Sequence, residues 1–334
     1  MRNHLIWPAF VMTLSLTLPG LAAAQVDLFL ILDESDLERP EGIAVNKRGD
    51  IFISIAPLGQ VWKIPAGSTD PELFGSVPNP MSDVGLLGLA VDAPGNVYGA
   101  APSPVPAVHG VWKFDRRSGT ALKLAGTEII AFPNDVAFDK RGNLYITDSA
   151  GGAIWRVPQG GGTTELWLSD VLLDPGAFGF GANGIEYFQG MLYVAVTDQG
   201  HLVGVPVLPN GSPGMPRIVA DFNESPPDGL AIDVHGHIYV AMLVAQQILK
   251  VDPADGTTEV VEMGDPLDFP SSLAFGTGRG EQQVLFGVNF SIGELFGSPP
   301  VMRPGVFLPP TLANLETRCL SALVRTLNSA TYSV

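Results

Sequence analysis

The chain has 334 residues, of which 46% are apolar and only 16% are charged, with 39 glycines, 29 prolines and a formal net charge of −16. This composition is typical of a globular protein rich in turns, and the length is sufficient for a large hydrophobic core. The excess of acidic residues argues against nucleic acid and anionic membrane surfaces as partners, since both are bound through basic surfaces. Cys319 is the only cysteine, so an intramolecular disulfide is excluded.

The N-terminal segment has the pattern of a secretory signal peptide. Arg2 precedes an apolar run from Leu5 to Leu18, and three alanines at positions 22–24 form a small-residue cleavage site. The run of about 14 residues is shorter than the roughly 20 that span a bilayer, although an uncleaved anchor is the alternative. We therefore expect residues 1–24 to be removed and the mature protein to be secreted or periplasmic, without membrane insertion. It would carry 17 lysine and arginine residues against 34 acidic ones, a net charge of −17.

A short pattern recurs six times in the mature chain, at spacings of 43 to 49 residues. The copies are 40–45, 86–91, 133–138, 182–187, 227–232 and 270–275. Several are followed by a glycine-containing turn and by short segments rich in β-branched and aromatic residues, which is typical of strands. Four short strands per repeat and a period near 45 residues predict an all-β fold, a six-bladed β-propeller of four-stranded antiparallel blades.

The ends of the repeat region complete this prediction. Residues 27–32 resemble an outer strand without a blade of its own, so we expect this N-terminal strand to complete blade six and to close the ring. The propeller would extend over residues 25–308. Residues 309–334 lie outside the repeat pattern and are assigned to a C-terminal tail.

The second residue of each copy defines a register position that should face the central channel. In chain order these residues are Glu41, Leu87, Asn134, Asn183, Asp228 and Ser271. Two carboxylates and two amides form an all-oxygen site, which suits Ca²⁺, while Mg²⁺ or Mn²⁺ could substitute. Zinc is disfavoured because no histidine or cysteine shares the position. The alternatives are polar channel residues bridged by water, or a purely structural ion.

These motifs carry a family resemblance. Phe-Pro-Asn-Asp at 132–135, Ala-Asn-Gly-Ile at 182–185 and Pro-Asp-Gly-Leu-Ala-Ile-Asp-Val-His-Gly at 227–236, with Glu41-Gly42 upstream, resemble the senescence marker protein/gluconolactonase/luciferin-regenerating enzyme family. The resemblance covers about residues 26–300. It implies a divalent metal on Glu41, Asn134, Asn183 and Asp228, and usually hydrolysis of lactones or related esters. The similar site of diisopropyl-fluorophosphatase hydrolyses phosphoesters.

The chain departs from the sugar-lactone hydrolases of that family at two positions. These enzymes carry an arginine two residues before the first metal-binding asparagine and an asparagine two residues after it, where this chain has Phe132 and Val136. We therefore expect a small-molecule substrate that is a fairly apolar lactone or ester rather than an aldonolactone.

The loops predicted to surround the channel mouth, 100–109 and 171–180, are also mostly apolar. An apolar mouth over a polar floor is the usual form of a ligand pocket. The candidate substrate contacts are Phe132, Phe178, Phe180, His109 and His201. The alternative role for the three phenylalanines is packing between loops.

The hypothesis from the sequence is metal-dependent hydrolysis by a lactonase- or esterase-like enzyme. The cation would polarise the carbonyl group of the substrate, and Asp228 would act as general base toward water or as nucleophile. Two other functions remain open. One is a non-enzymatic binding or scaffold protein with a structural Ca²⁺ in the channel, and the other is a phosphotriesterase-type hydrolase.

Overall fold

The structure is a computed structural model that describes residues 27–32, 37–78, 85–278, 281–292 and 305–308. The predicted signal peptide (1–24) and the predicted tail (309–334) lie outside the described residues, so both stay predictions. Within the described ranges, no helix has the length and apolar character that crossing a bilayer requires.

The described strands form six antiparallel sheets of four strands each, as the repeat predicts. Blade 1 contains β2 (Pro40–Val45), β3 (Ile51–Ile55), β4 (Gln60–Ile64) and β5 (Glu72–Ser76). Blade 2 contains β6 (Leu89–Val91), β7 (Val97–Ala101), β8 (Gly110–Phe114) and β9 (Ala121–Lys123). Blade 3 contains β10 (Pro133–Phe138), β11 (Leu144–Asp148), β12 (Ala153–Val157) and β13 (Glu165–Ser169). Blade 4 contains β14 (Ala182–Phe188), β15 (Met191–Val196), β16 (His201–Pro206) and β17 (Arg217–Asp221). Blade 5 contains β18 (Pro227–Ile232), β19 (Ile238–Met242), β20 (Gln247–Val251) and β21 (Thr258–Met263).

Blade 6 is built from both ends of the propeller, which confirms the predicted closure. Its inner strands are β22 (Pro270–Phe275) and β23 (Leu285–Asn289), followed by β24 (Gly305–Leu308) and then by β1 (Asp27–Ile31). Asp27 pairs with Leu308 and Ile31 with Gly305. Because the N-terminal strand joins the last blade, the circle of blades closes and β24 keeps no open edge. Two 3-10 helices, Thr127–Ile129 and Val171–Leu173, lie in connections between blades.

The hydrophobic core lies between adjacent blades. For example, Ala137 and Tyr145 of blade 3 share one cluster of buried residues with Ile185 and Leu192 of blade 4. The second strands of blades 1, 2, 3, 5 and 6 are buried along their whole length. The outer strands of blades 1 to 5 are instead mostly exposed or half-buried. Blades therefore pack face to face around the channel, and only their outer edges face solvent.

A local irregularity positions the inner strands at the channel. In blades 1, 3, 4, 5 and 6 the register of the first two strands shifts just after the first residue of the inner strand, which is where the register residues lie. Such a bulge redirects side chains and leaves backbone groups without ladder partners. Hydroxyls of the second strands accept the released N–H groups, from Gly42 to Ser54 Oγ (2.7 Å) and from Asp135 to Thr147 Oγ1 (2.9 Å).

Candidate metal centre

The four oxygen-bearing register residues line one cavity on the propeller axis. Glu41, Asn134, Asn183 and Asp228 surround it together with Ser271, which occupies the same position in blade 6. The four residues are nearly closed off from solvent and are between 4% and 7% exposed. We call these four side chains the ring. Residues separated by up to about 190 positions in sequence are thus neighbours in space.

Glycines beside the ring allow the inner strands to converge. A Cβ atom on Gly184 would lie 2.4 Å from the carbonyl oxygen of Asp228, and one on Gly229 would lie 2.4 Å from the carbonyl oxygen of Ser271. Both contacts are with backbone atoms, which cannot rotate away. The glycines after Asn183 and Asp228 therefore set how closely neighbouring blades approach the axis.

Gly184→Ala is accordingly expected to destabilise the protein and to displace Asp228. Overpacking of a well-packed interior typically costs about 1–3 kcal/mol, which corresponds to a decrease of several degrees in Tm measured by differential scanning calorimetry. Gly160→Ala measures backbone strain alone, because Gly160 has φ +80° but no heavy atom within 4 Å of the added Cβ. If Gly184→Ala left Tm unchanged, close approach at Gly184 would not explain its presence.

The ring lies in an environment of negative charge. Burial raises the pKa of Glu41 well above its ordinary value, and the charges of Asp228 and Asp135 raise it further. Burial and the charge of Asp135 raise the pKa of Asp228 to about 8, although a hydrogen bond from Asn183 opposes the shift. In the described part of the chain, the charged groups that act on these two carboxyls are carboxyls too. A cation between them would relieve both the burial and the repulsion.

Two acidic residues near the ring were not predicted from the sequence. Asp135 also lines the cavity, and burial raises its pKa to about 7 although the N–H groups of Ile185 and Val136 hydrogen-bond to its carboxylate. Glu186 lies on the inner strand of blade 4, where burial and the charge of Asp135 raise its pKa to about 8. Both residues stand out in the sequence, because each departs from the residue type usual at its position in the repeat. Four other copies have glycine at the position of Asp135, and all five other copies have alanine at that of Glu186.

Buried oxygen atoms without hydrogen-bond partners test whether a cation fits. Glu41 Oε2 and Asn134 Oδ1 are both buried and make no hydrogen bond. An unpaired buried acceptor costs roughly 1–3 kcal/mol and therefore needs an explanation. The described residues contain no group of three or more His, Cys, Asp or Glu side chains arranged for a metal, so the amide oxygens are essential to the fit. Two carboxylates and two amides suit a hard cation such as Ca²⁺.

The mouth side of the ring is apolar, through residues outside the two predicted mouth loops, 100–109 and 171–180. Ala56, Leu87, Leu243, Phe269, Phe290 and Ile292 form a buried cluster against which Phe132 packs. We call this set the mouth cluster. Leu87 is the register residue of blade 2, so the wall beside the polar ring is itself apolar.

Two aspartates hold the loops that carry the predicted phenylalanines. Asp148 accepts hydrogen bonds from the N–H groups of Ala131 and Phe132, and one Asp198 oxygen accepts four from loop 176–180. The Phe132 and Phe180 rings meet edge to face at 5.5 Å. Phe178, by contrast, is 83% exposed. Phe132 and Phe180 are therefore brought together at the mouth, and Phe178 extends into solvent.

The two predicted histidines lie away from the ring. His109 precedes β8, and both of its ring nitrogens are engaged, with the N–H of Ser103 at 3.1 Å and the carbonyl oxygen of Ile130 at 2.7 Å. His201 begins β16, the third strand of blade 4, with Nε2 3.8 Å from Asp221. Neither residue lines the cavity, and their role in substrate contact stays a prediction.

Comparison with solved structures agrees with this architecture. A gluconolactonase from Xanthomonas campestris has 17% identity and a TM-score of 0.66, over 89% of this chain and 94% of that one. A calcium-binding protein, regucalcin, from Agrobacterium tumefaciens has 17% identity and a TM-score of 0.64, over 84% and 93%. A luciferin-regenerating enzyme has 15% identity and a TM-score of 0.64, over 85% and 94%. At these identities the likeness shows the fold.

Sequence comparison gives the family. No curated protein sequence matches this chain significantly. The model of the SMP-30/gluconolactonase/LRE-like region matches residues 109–285, which span more than half of the chain and include three of the four ring residues. This match confirms the resemblance seen in the sequence motifs, and the chain belongs to the SMP-30/gluconolactonase/LRE-like family.

Proposed function

We propose that this protein is a metal-dependent hydrolase of lactones or related esters, exported to the periplasm or secreted. The observation that carries the proposal is the ring, in which two buried carboxylates and two amides surround one cavity and two oxygens lack partners. Glu41, Asn134, Asn183 and Asp228 would hold the cation, for which Ca²⁺ is the best match and Mg²⁺ or Mn²⁺ are alternatives. When bound, it would polarise the substrate carbonyl and stabilise the charge that develops on its oxygen.

Asp228 is the residue of the ring best suited to chemistry. As a carboxylate it can take the proton of a water molecule that attacks the carbonyl carbon, or attack that carbon itself. The two asparagines are neutral ligands with no proton to exchange at neutral pH, and Glu41 would act mainly as a ligand. Nearly complete burial of the ring excludes bulk water, which strengthens electrostatic interactions there.

The mouth cluster supports an apolar substrate. The polar groups that line the cavity come from blades 1, 3, 4, 5 and 6, whereas blade 2 contributes Gly88 to the cavity and Leu87 to the mouth cluster, against which Phe132 packs. A sugar lactone would place its hydroxyl groups against these side chains without hydrogen-bond partners. An acyl or aryl substituent would instead bury apolar surface there.

The family and the named neighbours support hydrolysis or calcium binding. One neighbour is named a gluconolactonase and another a calcium-binding protein, regucalcin. For this chain, both descriptions are part of the proposal.

A second function, a binding propeller with a structural ion, is favoured by one observation. The ring residues are at most 7% exposed, and a catalytic metal needs a coordination position that substrate can reach. Access to the ring therefore separates an enzyme from a scaffold.

The test is a hydrolysis assay on the purified protein. The panel comprises γ- and δ-lactones, aryl esters, one aldonolactone and one phosphotriester, each measured with Ca²⁺ and after treatment with chelator. We expect turnover of apolar lactones or aryl esters that exceeds turnover of the aldonolactone and disappears with chelator. Fastest turnover of the phosphotriester would establish the phosphotriesterase alternative. No turnover of any substrate, with chelator only lowering Tm, would support the structural ion.

A further inference from the structure

Each asparagine of the ring contacts a hydroxyl group at the end of the second strand of its own blade. Asn134 Nδ2 donates to Ser149 Oγ over 2.9 Å, and Asn183 Nδ2 donates to Thr197 Oγ1 over 2.9 Å. Ser149 is fully buried and Thr197 is partly buried. The two contacts are equivalent in neighbouring blades, and each uses one of the two amide hydrogens, which leaves the second hydrogen of Asn183 for its hydrogen bond to Asp228.

The further partners of these hydroxyls determine which way each amide is turned. Ser149 Oγ donates to the carbonyl oxygen of Ala182 (2.7 Å), and Thr197 Oγ1 donates to that of Pro227 (2.9 Å). A hydroxyl has one hydrogen, and a carbonyl oxygen can only accept. Each hydroxyl must therefore accept a hydrogen from the amide, and only the NH₂ side of an amide can donate. The network therefore fixes the orientation of each amide.

A comparison among blades shows that the hydroxyls occur only where an amide needs them. In five blades, the residue after the second strand donates its N–H to the carbonyl two residues before the register residue, so the five positions are equivalent. These residues are Ala56, Ser149, Thr197, Leu243 and Phe290. The three apolar ones occupy the blades whose register residues are Glu41, Asp228 and Ser271.

Chemistry explains the difference between these blades. A carboxylate presents an oxygen whichever way it rotates, whereas a rotated amide would point its NH₂ group at the cation. From these contacts we propose that Ser149 and Thr197 are positioning residues that hold the amides of Asn134 and Asn183 with both Oδ1 atoms turned toward the bound cation. The inference rests on the cation of the proposed function. Each hydroxyl also bonds the residue that precedes the next ring residue, so it ties adjacent ligands together.

The experiment measures Ca²⁺ affinity by isothermal titration calorimetry on chelator-treated protein. Ser149→Ala and Thr197→Val remove the hydroxyls, and we expect each to weaken binding by about 10- to 100-fold, the usual effect of losing a partner of a metal ligand. Ser149→Thr and Thr197→Ser keep the hydroxyl and should bind with nearly wild-type affinity. Melting of the metal-free variants checks that each remains folded, and the two sites test the inference independently.

The same hydroxyl substitutions in aspartate variants separate amide orientation from general support of the fold. In Asn134→Asp both side-chain atoms that can face the cation are oxygens, so no rotation presents an NH₂ group to it. Adding Ser149→Ala to this variant should leave Ca²⁺ affinity unchanged or slightly improved. Thr197→Val should likewise have no effect in the Asn183→Asp background. A hydroxyl that only supports the fold would give equal losses in both backgrounds.

The outcomes distinguish this inference from the proposed function. If the wild-type protein binds no Ca²⁺, Mg²⁺ or Mn²⁺, the metal-dependent function fails and the inference fails with it. If the wild type binds Ca²⁺ and the hydroxyl variants bind it equally well, or lose the same affinity in the aspartate backgrounds, only the inference is overturned.

Discussion

Asp228→Asn is expected to lower kcat for the best substrate of the panel by at least about 100-fold, the lower end of what a general base contributes. Asparagine has nearly the same shape and can still offer one oxygen to a cation, but it cannot accept a proton from water. The substitution also removes a buried charge close to Glu41 and Asp135. The chelator-treated variant should therefore melt at the wild-type temperature or above it, which would rule out unfolding as the cause of the loss.

Glu186→Gln is the matched control for this experiment. Glu186 is another carboxyl on an inner strand whose pKa is raised to about 8, but it does not line the cavity. It should keep wild-type kcat. Because Asp228→Asn also weakens the metal site, kcat is measured at several Ca²⁺ concentrations and extrapolated to saturation. A saturated kcat within a few-fold of wild type would remove Asp228 from the chemistry and leave it as a ligand.

The sequence was sufficient to predict the fold because each blade of a propeller is specified by one continuous stretch of the chain. Each blade repeats its own hydrophobic pattern and turn glycines, so six copies predict six blades without long-range information. The convergence of Glu41, Asn134, Asn183 and Asp228 followed from the same repeat, since equivalent positions in equivalent strands must meet at the axis. Their arrangement around one cavity agrees with that expectation.

What the repeat could not predict are contacts between residues at different repeat positions. Ser149 follows Asn134 by 15 residues and reaches it only because the second strand returns antiparallel to the first. Asp135 bonds the backbone of the next blade; the repeat marks Asp135 as an exception among small residues but does not predict which group it contacts. His109 was predicted at the mouth because of the loop in which it lies. Its imidazole instead contacts the carbonyl oxygen of Ile130, 21 residues further along the chain, and the repeat does not predict the path of that connection.

Removal of metal is expected to make stability strongly dependent on pH. The folded-state pKa values of Asp135, Asp228 and Glu186 are about 7, 8 and 8, and that of Glu41 is also raised. All four lie above their unfolded values near 4, so the folded state holds more protons between pH 4 and 8. The free energy of unfolding of chelator-treated protein should therefore fall as pH rises through this window and level off above it. Each unit of pKa shift corresponds to about 1.4 kcal/mol in the free energy of unfolding. The contribution is smaller for Asp135 and Glu186, because both are half-buried and solvent screens their charges.

The measurement is Tm at pH 5 and pH 8, with chelator and with saturating Ca²⁺. With chelator, Tm should be lower at pH 8 by at least about 5 °C, given a few degrees per kcal/mol for a chain of this size. With Ca²⁺ the decrease should be smaller, because the cation binds the ionised ring and competes with protons for it. Glu186→Gln should raise Tm at pH 8 and not at pH 5, because it removes a charge that is present only at the higher pH. A metal-free Tm that is constant from pH 5 to pH 8 would contradict the buried, mutually repelling carboxylates from which the proposed cation site is inferred.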